Sequence, residues 1–292
     1  MRITPVSEVR PRPRKVAVGE FDGVHCGHRA VILGSDTVLT FEPHPATVIA
    51  PQRAPALLTS LELKSELIAA LGVQELVVVP FDERTASLSP QEFVDSILVS
   101  TLMPTRISVG ENFRYGRDAQ GNAQTLHADP RFETNVLPLI SRDGDVVSSS
   151  RIRRLISAGE VERARLLLGA PFRLRSTVVH GDKRGRELGF PTANIVAEKG
   201  FACPAHGVYA CRVDGRAAAV NVGVRPTFGS GLKPLVEAFI IDFTGDLYGQ
   251  QITIEFFARL RGEQRFESAQ ALIAQMHQDV EQTRELLVSE VK

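Results

Sequence analysis

The sequence predicts two domains of different class, an α/β domain followed by an all-β domain. Its 292 residues exceed the usual size of a single hydrophobic core. Strand-like and helix-like segments alternate through residues 1–170, which is typical of βαβ units and a mostly parallel sheet. From residue 171 onward, strand-like segments follow one another without room for crossover helices, which indicates an antiparallel barrel or sandwich. The expected domains are therefore 1–170 and 171–292.

The first domain shows its elements through hydrophobic periodicity and capping signals. Its expected strands are residues 16–19, 37–41, 75–79, 105–109 and 135–140. Helices are expected at 60–71, from the capping box of residues 89–92 onward, at 148–157 and at 160–168. Ligands bind at the carboxyl ends of parallel strands. We therefore expect the chemistry in the loops that follow Val18, Phe41 and Val109.

The second domain is built from short strands separated by glycine and proline turns. Its expected strands are residues 173–179, 207–213, 217–222, 235–242 and 251–260. The last of these alternates, so Ile252, Ile254, Phe256, Ala258 and Leu260 should share one buried face. Residues 268–287 place apolar side chains along one helical stripe, which predicts a helix packed over the barrel.

Composition excludes several classes of partner. The chain has 34 Lys and Arg and 34 Asp and Glu, so no global field favours nucleic acid or an anionic membrane. Its longest apolar stretches fall far short of the roughly 20 residues of a membrane helix. The N-terminus lacks the apolar core of a signal peptide. The three cysteines, Cys26, Cys203 and Cys211, are scattered, so no disulfide framework is expected. We expect a cytoplasmic protein without nucleic-acid or membrane partners, with self-association left open.

Residues 21–28, which read Phe-Asp-Gly-Val-His-Cys-Gly-His, form the first candidate site. At a strand-to-helix turn His25 and His28 can both face a ligand, while the glycines let backbone amides approach a phosphate. Structural histidines and turn-shaping glycines are the plainer alternatives. Zinc binding would need about four ligands, and the rest of the chain offers no partner cluster.

Residues 148–153 form a second element of the same domain. They read Ser-Ser-Ser-Arg-Ile-Arg and open a helix with hydroxyls and guanidiniums, which together suit a polyphosphate. The alternative is an ordinary N-cap followed by arginines that face solvent.

The second domain contains a basic, glycine-rich segment at residues 180–189 that leads into Phe-Pro-Thr-Ala-Asn at 190–194. The segment is not a Walker A loop, and it either wraps a polyphosphate or forms a solvated hairpin tip. In extended backbone Thr192 and Asn194 lie on one face. Their neutral oxygen ligands suit Mg²⁺.

Glu237 is the charged residue of the apolar strand 235–241. A carboxylate there loses solvation unless it has a partner or a task. One task is to orient and deprotonate a hydroxyl during phosphoryl transfer. The alternative is a buried salt bridge.

These motifs, in this order, resemble a known family. The turn at 21–28 and the helix start at 148–153, with residues 40–45 and 109–116, resemble the adenylyltransferase module of bacterial bifunctional riboflavin kinase/FAD synthetases. Residues 189–194, 221–228 and 242–249 resemble the riboflavin kinase module of the same family. The resemblance implies a Rossmann-like nucleotidyltransferase domain and a six-stranded antiparallel Greek-key barrel with a terminal helix. It also implies phosphorylation of riboflavin to FMN by ATP, and adenylyl transfer to FMN that yields FAD and pyrophosphate.

The resemblance also assigns roles to individual residues. It implies catalytic roles for His25, His28 and Glu237. For ATP and its phosphates it implies Phe21, Asp22, Gly23, Gly27, Ser149, Ser150, Arg151, Arg153, Gly181, Lys183 and Gly185. For the flavin it implies Phe41, Pro43, His44, Asn112 and Arg265. Thr192 and Asn194 would bind Mg²⁺ with ATP.

One feature departs from the family pattern. Only residues 29–36 separate His28 from the next strand, whereas a parallel crossover usually takes ten to twelve residues or more. The interval predicts a helix of barely one turn. A riboflavin kinase with an impaired adenylyltransferase domain is therefore an alternative. A third hypothesis, a non-enzymatic flavin- or RNA-binding module, is disfavoured because tryptophan is absent and aromatic residues make up 6% of the chain.

Overall fold

A computed structural model describes residues 1–180, 190–225 and 233–289. The chain divides into two compact units, Met1–Ser149 and Ser150–Lys292. This division precedes the predicted domain boundary at residue 170, because the helix Val161–Leu168 packs against barrel strands.

The first unit is organised around a six-stranded sheet in which every strand pairing is parallel. The strands of this unit are β1 Arg2–Pro5, β2 Arg14–Val18, β3 Thr37–Glu42, β4 Glu75–Pro80, β5 Pro104–Gly110, β6 Arg114–Tyr115, β7 Gly121–Asn122, β8 Glu133–Leu137, β9 Ser141–Arg142 and β10 Asp145–Val146. The sheet order is β1-β4-β3-β2-β5-β8, while β6 pairs with β7 and β9 with β10. The five predicted strands are confirmed, and β1 is an edge strand that the hydrophobic pattern did not predict.

The helices of the first unit follow the predicted caps. They are α1 Cys26–Ile32, α2 Pro45–Ile49, α3 Leu61–Ala69, α4 Glu83–Ser87, α5 Pro90–Glu92, its π-helical continuation Phe93–Leu102, and α6 Ala123–His127. Single 3-10 turns occupy Val6–Glu8, Pro51–Arg53 and Arg117–Ala119. Ser60 caps α3 by accepting the Leu63 N–H at 3.2 Å. Ser89 and Glu92 form the predicted capping box in both directions.

The crossover from β2 to β3 carries a longer helix than the sequence predicted. Helix α1 has seven residues, about two turns, because it begins at Cys26 inside the motif rather than after His28. His25 supplies its N-cap. The predicted helix of barely one turn is therefore wrong, and β2 and β3 still pair directly in parallel.

The sheet has an apolar layer on each face, as expected for an α/β unit. Val16 and Leu39 lie in the layer that contains Phe93, whereas Ala17 and Val38 lie in the opposite layer. From β2 the chain runs to β3 and β4 on one side of the sheet, where β1 forms the edge, and then crosses to β5 and β8 on the other side. The carboxyl ends of β3, β2 and β5 are therefore neighbours at a topological switch point.

The second unit is a closed barrel of six antiparallel strands. The strands are β11 Phe172–Val179, β12 Ala193–Val196, β13 Gly207–Val213, β14 Arg216–Arg225, β15 Lys233–Ile240 and β16 Gln251–Arg261. The order β11-β12-β15-β14-β13-β16 contains a Greek key, because β12 lies beside β15 while β13, β14 and β15 pair in succession. The helices are α7 Ser149–Ala158, α8 Val161–Leu168 and α9 Ala269–Ser289. Strand β12 was not predicted from the hydrophobic pattern, because it has only four residues.

Strand β16 departs from the alternation that the sequence predicts. Ile252, Ile254 and Phe256 are buried, but Ala258 and Leu260 are only half-buried. The pairing of β16 with β13 shifts register twice beyond Phe256, which rotates the later side chains away from the barrel interior.

Helix α9 packs over the barrel, as predicted. Its Ile273, Met276 and Val280 contact the apolar surface that contains Phe190 and Ile241. Phe190 therefore anchors the start of the Phe-Pro-Thr-Ala-Asn segment beneath α9.

Candidate functional sites

The turn after β2 has a constrained backbone. Phe21 adopts a φ of 51° and Gly23 a φ of 86°, both in the left-handed region. The buried ring of Phe21 lies edge-on to His28, with 5.4 Å between the ring centroids. A Cβ atom at Gly19 would lie 3.0 Å from the Phe21 ring, so glycine leaves room for the ring. The phenyl group of Phe21 therefore supports the turn from the core side.

Asp22 connects this turn to the loop before α3 through hydrogen bonds. Its carboxylate accepts hydrogen bonds from the Leu58 N–H at 2.9 Å and from the Thr59 N–H at 3.0 Å. The Thr59 hydroxyl lies 3.2 Å from the same carboxylate and accepts the Gly23 N–H at 3.1 Å. Asp22 is only 2% exposed. Its buried carboxylate, with Thr59, therefore forms the frame that holds the backbone of the turn in place.

His25 and His28 form a stacked pair. Their ring centroids lie 3.5 Å apart with an interplanar angle of 16°. Nδ1 of His25 accepts the His28 N–H at 3.2 Å, so the proton of the neutral ring is on Nε2. A Cβ atom at Gly27 would lie 3.2 Å from the His25 ring, so glycine keeps space for the stack. The turn thus offers imidazole donors of a kind that stabilise charge on a phosphate.

Ser149, at the start of α7 and the last residue of the first unit, contacts the turn. The Ser149 hydroxyl donates to the carbonyl oxygen of Asp22 at 2.9 Å. Ser150, Arg151 and Arg153 lie in the first turns of α7, where Ile152 supplies the buried contact. Their predicted contact with ATP stays a prediction.

The residues implied for the flavin follow β3 and β5. Phe41 is buried against Phe81 and Phe93, so its ring is part of the core. His44 caps α2 by accepting the Ala46 N–H on Nδ1 at 3.1 Å, and Pro43 beside it is exposed.

Asn112 is exposed in the turn after β5. A Cβ atom at Gly110 would lie 3.1 Å from Oδ1 of Asn112, so glycine at that position leaves room for the Asn112 side chain. Because β3 and β5 flank β2, these positions share one edge of the sheet with the histidines. The flavin contacts themselves stay predictions.

Glu20 is a polar residue at this edge that the sequence analysis did not single out. Both carboxylate oxygens are buried and form no hydrogen bond with a described residue. The pKa of Glu20 is raised to about 8, mainly by burial; Lys64 opposes this shift, and the negative charges of Asp22 and Glu42 contribute to it. The position of Glu20 just after a strand does not by itself indicate that its carboxylate is buried.

The barrel places the candidate kinase residues in one row across three strands. Glu237 on β15 is paired with Asn194 on β12 and with Asn221 on β14. Nδ2 of Asn221 donates to Oε2 of Glu237 at 3.3 Å. No described residue forms an ion pair with Glu237, so the salt-bridge alternative has no support within the described ranges.

Asn194 fits the role of a cation ligand. Its Nδ2 donates to the carbonyl oxygen of Thr192 at 3.1 Å and approaches the Thr192 hydroxyl at 3.4 Å. Its Oδ1 is buried and accepts no hydrogen bond from a described residue. A buried amide oxygen without a donor has the chemistry that a hard cation requires.

The other residues predicted for the barrel site are the ATP-binding residues at 181–185 and the flavin-binding Arg265, and their roles stay predictions. Gly181, Lys183 and Gly185 lie outside the described residues. Arg265 is exposed between β16 and α9. Asn221 lies in the family-like motif at 221–228 and has no role implied by the resemblance, although a polar residue in an apolar strand is a usable signal.

Comparisons with known proteins agree with this two-site layout. A riboflavin kinase family model matches residues 168–287, and an FAD synthetase model matches residues 7–151. A bifunctional riboflavin kinase/FMN adenylyltransferase of Listeria monocytogenes is 40% identical over 92% of this chain and 91% of its own length. The protein of the same name from Escherichia coli K12 is 35% identical over 92% of this chain and 91% of its own.

A solved structure also matches both units. The crystal structure described as a macrolide-efflux protein from Streptococcus pneumoniae has a TM-score of 0.88 and 30% sequence identity. The match covers 97% of this chain and 99% of that one. Among the described residues, every helix is too short or too polar to span a bilayer. With both family models matched in order and relatives aligned over nine-tenths of their length, this chain belongs to the bifunctional riboflavin kinase/FMN adenylyltransferase family.

Proposed function

We propose that the chain makes both flavin cofactors, phosphorylating riboflavin to FMN in the barrel and adenylylating FMN to FAD in the first unit. The observation that carries this proposal is that the histidine turn and the row of Asn194, Asn221 and Glu237 each lie inside the residues matched by a different family model. The kinase-only alternative is not favoured, because the curated relatives carry both names and α1 is longer than the sequence predicted.

In the kinase reaction Glu237 accepts the proton of a ribityl hydroxyl of riboflavin. The hydroxyl oxygen then forms a bond to the γ-phosphorus of ATP, while the bond to the β,γ-bridging oxygen breaks and ADP leaves. Thr192 and Asn194 would hold Mg²⁺, which neutralises charge on the transferred phosphoryl group when it is bound. The buried Oδ1 of Asn194 supports this choice. A general base in this position contributes a factor of roughly 10² to 10⁴ in rate.

In the adenylyl transfer a phosphate oxygen of FMN attacks the α-phosphorus of ATP and pyrophosphate leaves. The attacking group is already a nucleophile, so orientation and charge stabilisation suffice. His25 and His28 would donate hydrogen bonds to the phosphates, and the frame formed by Asp22, Thr59 and Ser149 would hold their turn. We propose the exposed Asn112 and the α7 residues Ser150, Arg151 and Arg153 as additional substrate contacts.

We also propose a cytoplasmic location. Cys26, Cys203 and Cys211 are free thiols, which suits a reducing compartment. ATP as the co-substrate points to the same compartment.

The test is to incubate the purified chain with riboflavin, ATP and Mg²⁺ and to separate the flavins. Sequential appearance of FMN and then FAD is the expected result. If no FMN forms, the kinase assignment is wrong. If FMN accumulates without FAD, the kinase-only alternative replaces the bifunctional proposal.

A further inference from the structure

Asn221 lies where it can act on the proposed base Glu237. The two residues are direct partners in the antiparallel ladder between β14 and β15, and the Nδ2 to Oε2 distance is 3.3 Å. Cross-strand partners have neighbouring side chains on one face of the sheet. The amide orientation follows from chemistry, since an ionised carboxylate can only accept a hydrogen bond.

The opposite neighbour of Glu237 does not duplicate this contact. Asn194 is also a direct ladder partner of Glu237, but its Nδ2 donates to Thr192. Its Oδ1 is buried without a described donor. The two asparagines that flank Glu237 therefore have different tasks: Asn194 presents an acceptor, and Asn221 supplies a donor.

We propose that Asn221 is the positioning residue of the riboflavin kinase reaction; the proposal rests on the kinase function assigned above. Its amide occupies Oε2 of Glu237 and leaves Oε1 to accept the proton of the substrate hydroxyl. The hydrogen bond fixes the orientation of the carboxylate towards the substrate hydroxyl. It also restricts the rotamers of a side chain with three rotatable bonds.

The proposal is tested with Asn221→Ala and the isosteric Asn221→Asp, assayed for kcat and KM in riboflavin phosphorylation. Without the donor, kcat should fall about 10-fold or more, because a hydrogen bond to a charged group is lost. Asn221→Asp keeps the shape of the side chain but replaces the donor with an acceptor, so its kcat should fall at least as far. The KM for ATP should stay within about 2-fold of wild type, because Asn221 contacts the base rather than the nucleotide.

Thr253→Ala is the matched control. It removes another cross-strand side-chain hydrogen bond of the barrel, the 2.9 Å bond from Arg175, on strands that are not adjacent to β14 or β15. This variant should keep the wild-type kcat. Thermal unfolding establishes that the barrel of each variant is folded, and conversion of supplied FMN to FAD shows that the first unit is intact.

The outcomes separate the hypotheses. If kcat in both Asn221 variants is lowered no further than in Thr253→Ala, or if the KM for ATP rises as much as kcat falls, Asn221 has a structural role only and the proposal is overturned. If Asn221→Ala fails to fold, the isosteric Asn221→Asp decides through its kcat and its KM for ATP. Failure of the wild-type chain to form FMN would instead sink the kinase function itself.

Discussion

Glu20 follows β2 at the carboxyl end of the parallel sheet, in an environment that disfavours an ionised carboxylate. Its carboxylate oxygens are buried without a described donor, and burial raises its pKa to about 8. In the unfolded chain the group titrates near its ordinary value of 4.5. Between pH 4.5 and 8 the folded state therefore holds a proton that the unfolded state has released, and stability falls as pH rises.

We expect Glu20→Gln to remove this dependence. The variant should match wild type near pH 4.5 and should exceed it above pH 8 by ~1 kcal/mol or more, since each pK unit corresponds to about 1.4 kcal/mol. Denaturant unfolding at both pH values measures the difference. Glu92→Gln is a control of opposite sign, because the Ser89 hydrogen bonds lower the pKa of Glu92. Equal stability of wild type and Glu20→Gln above pH 8 would contradict the expectation.

A largely buried ion pair connects helix α9 to the barrel. Arg261 at the end of β16 donates to both oxygens of Asp279 at 2.8 to 3.2 Å, and the two side chains are 15% and 4% exposed. Removal of one partner from such a pair leaves an uncompensated buried charge. The pair therefore helps to hold α9 over the barrel surface where Phe190 is anchored.

We expect Asp279→Asn to lower the free energy of unfolding by about 3 kcal/mol. The matched control on the same helix is Arg284→Ala, which removes the ion pair with Asp242. Arg284 is 45% exposed, and exposed pairs contribute about 0–1 kcal/mol. Urea unfolding of both variants gives the comparison. Similar losses in the two variants would show that burial of the Arg261–Asp279 pair does not matter.

The two compact units should allow the two activities to be separated. Glu237→Gln keeps the shape of the side chain but removes the base, so FMN formation should fall about 100-fold or more. Conversion of supplied FMN to FAD should remain. Glu198→Gln, an exposed change in the same unit, should leave both reactions intact.

We expect the reciprocal result for His28→Ala. Loss of one of the stacked imidazoles should lower FAD formation about 100-fold, the usual effect of removing one preorganised donor. FMN formation should persist. Chromatography of flavins formed from riboflavin or from FMN distinguishes the two reactions, and loss of both in a folded variant would contradict the two-site assignment.

Most local elements of both units, although not β1 or β12, could be predicted from neighbouring residues alone. Hydrophobic periodicity and caps such as Ser60 and the Ser89–Glu92 box depend on groups within a few residues of each other, and the structure confirms them. Thr192 and Asn194 could be paired by the two-residue period of a strand. The helix after His25 was predicted too short because its start overlaps the histidine motif.

Only the tertiary structure decided which distant side chains are neighbours and which are buried, because both depend on the pairing of distant strands. Asn194, Asn221 and Glu237 are separated along the chain, and the barrel order brings them into one row. The register shifts that turn Leu260 away from the interior, and the desolvation of Glu20, have no local signature. The sequence by itself therefore determined the fold class, the order of the two domains and most candidate residues. Pairing between distant strands decided which polar group faces the proposed base, because long-range register brings together side chains that have no fixed spacing in the sequence.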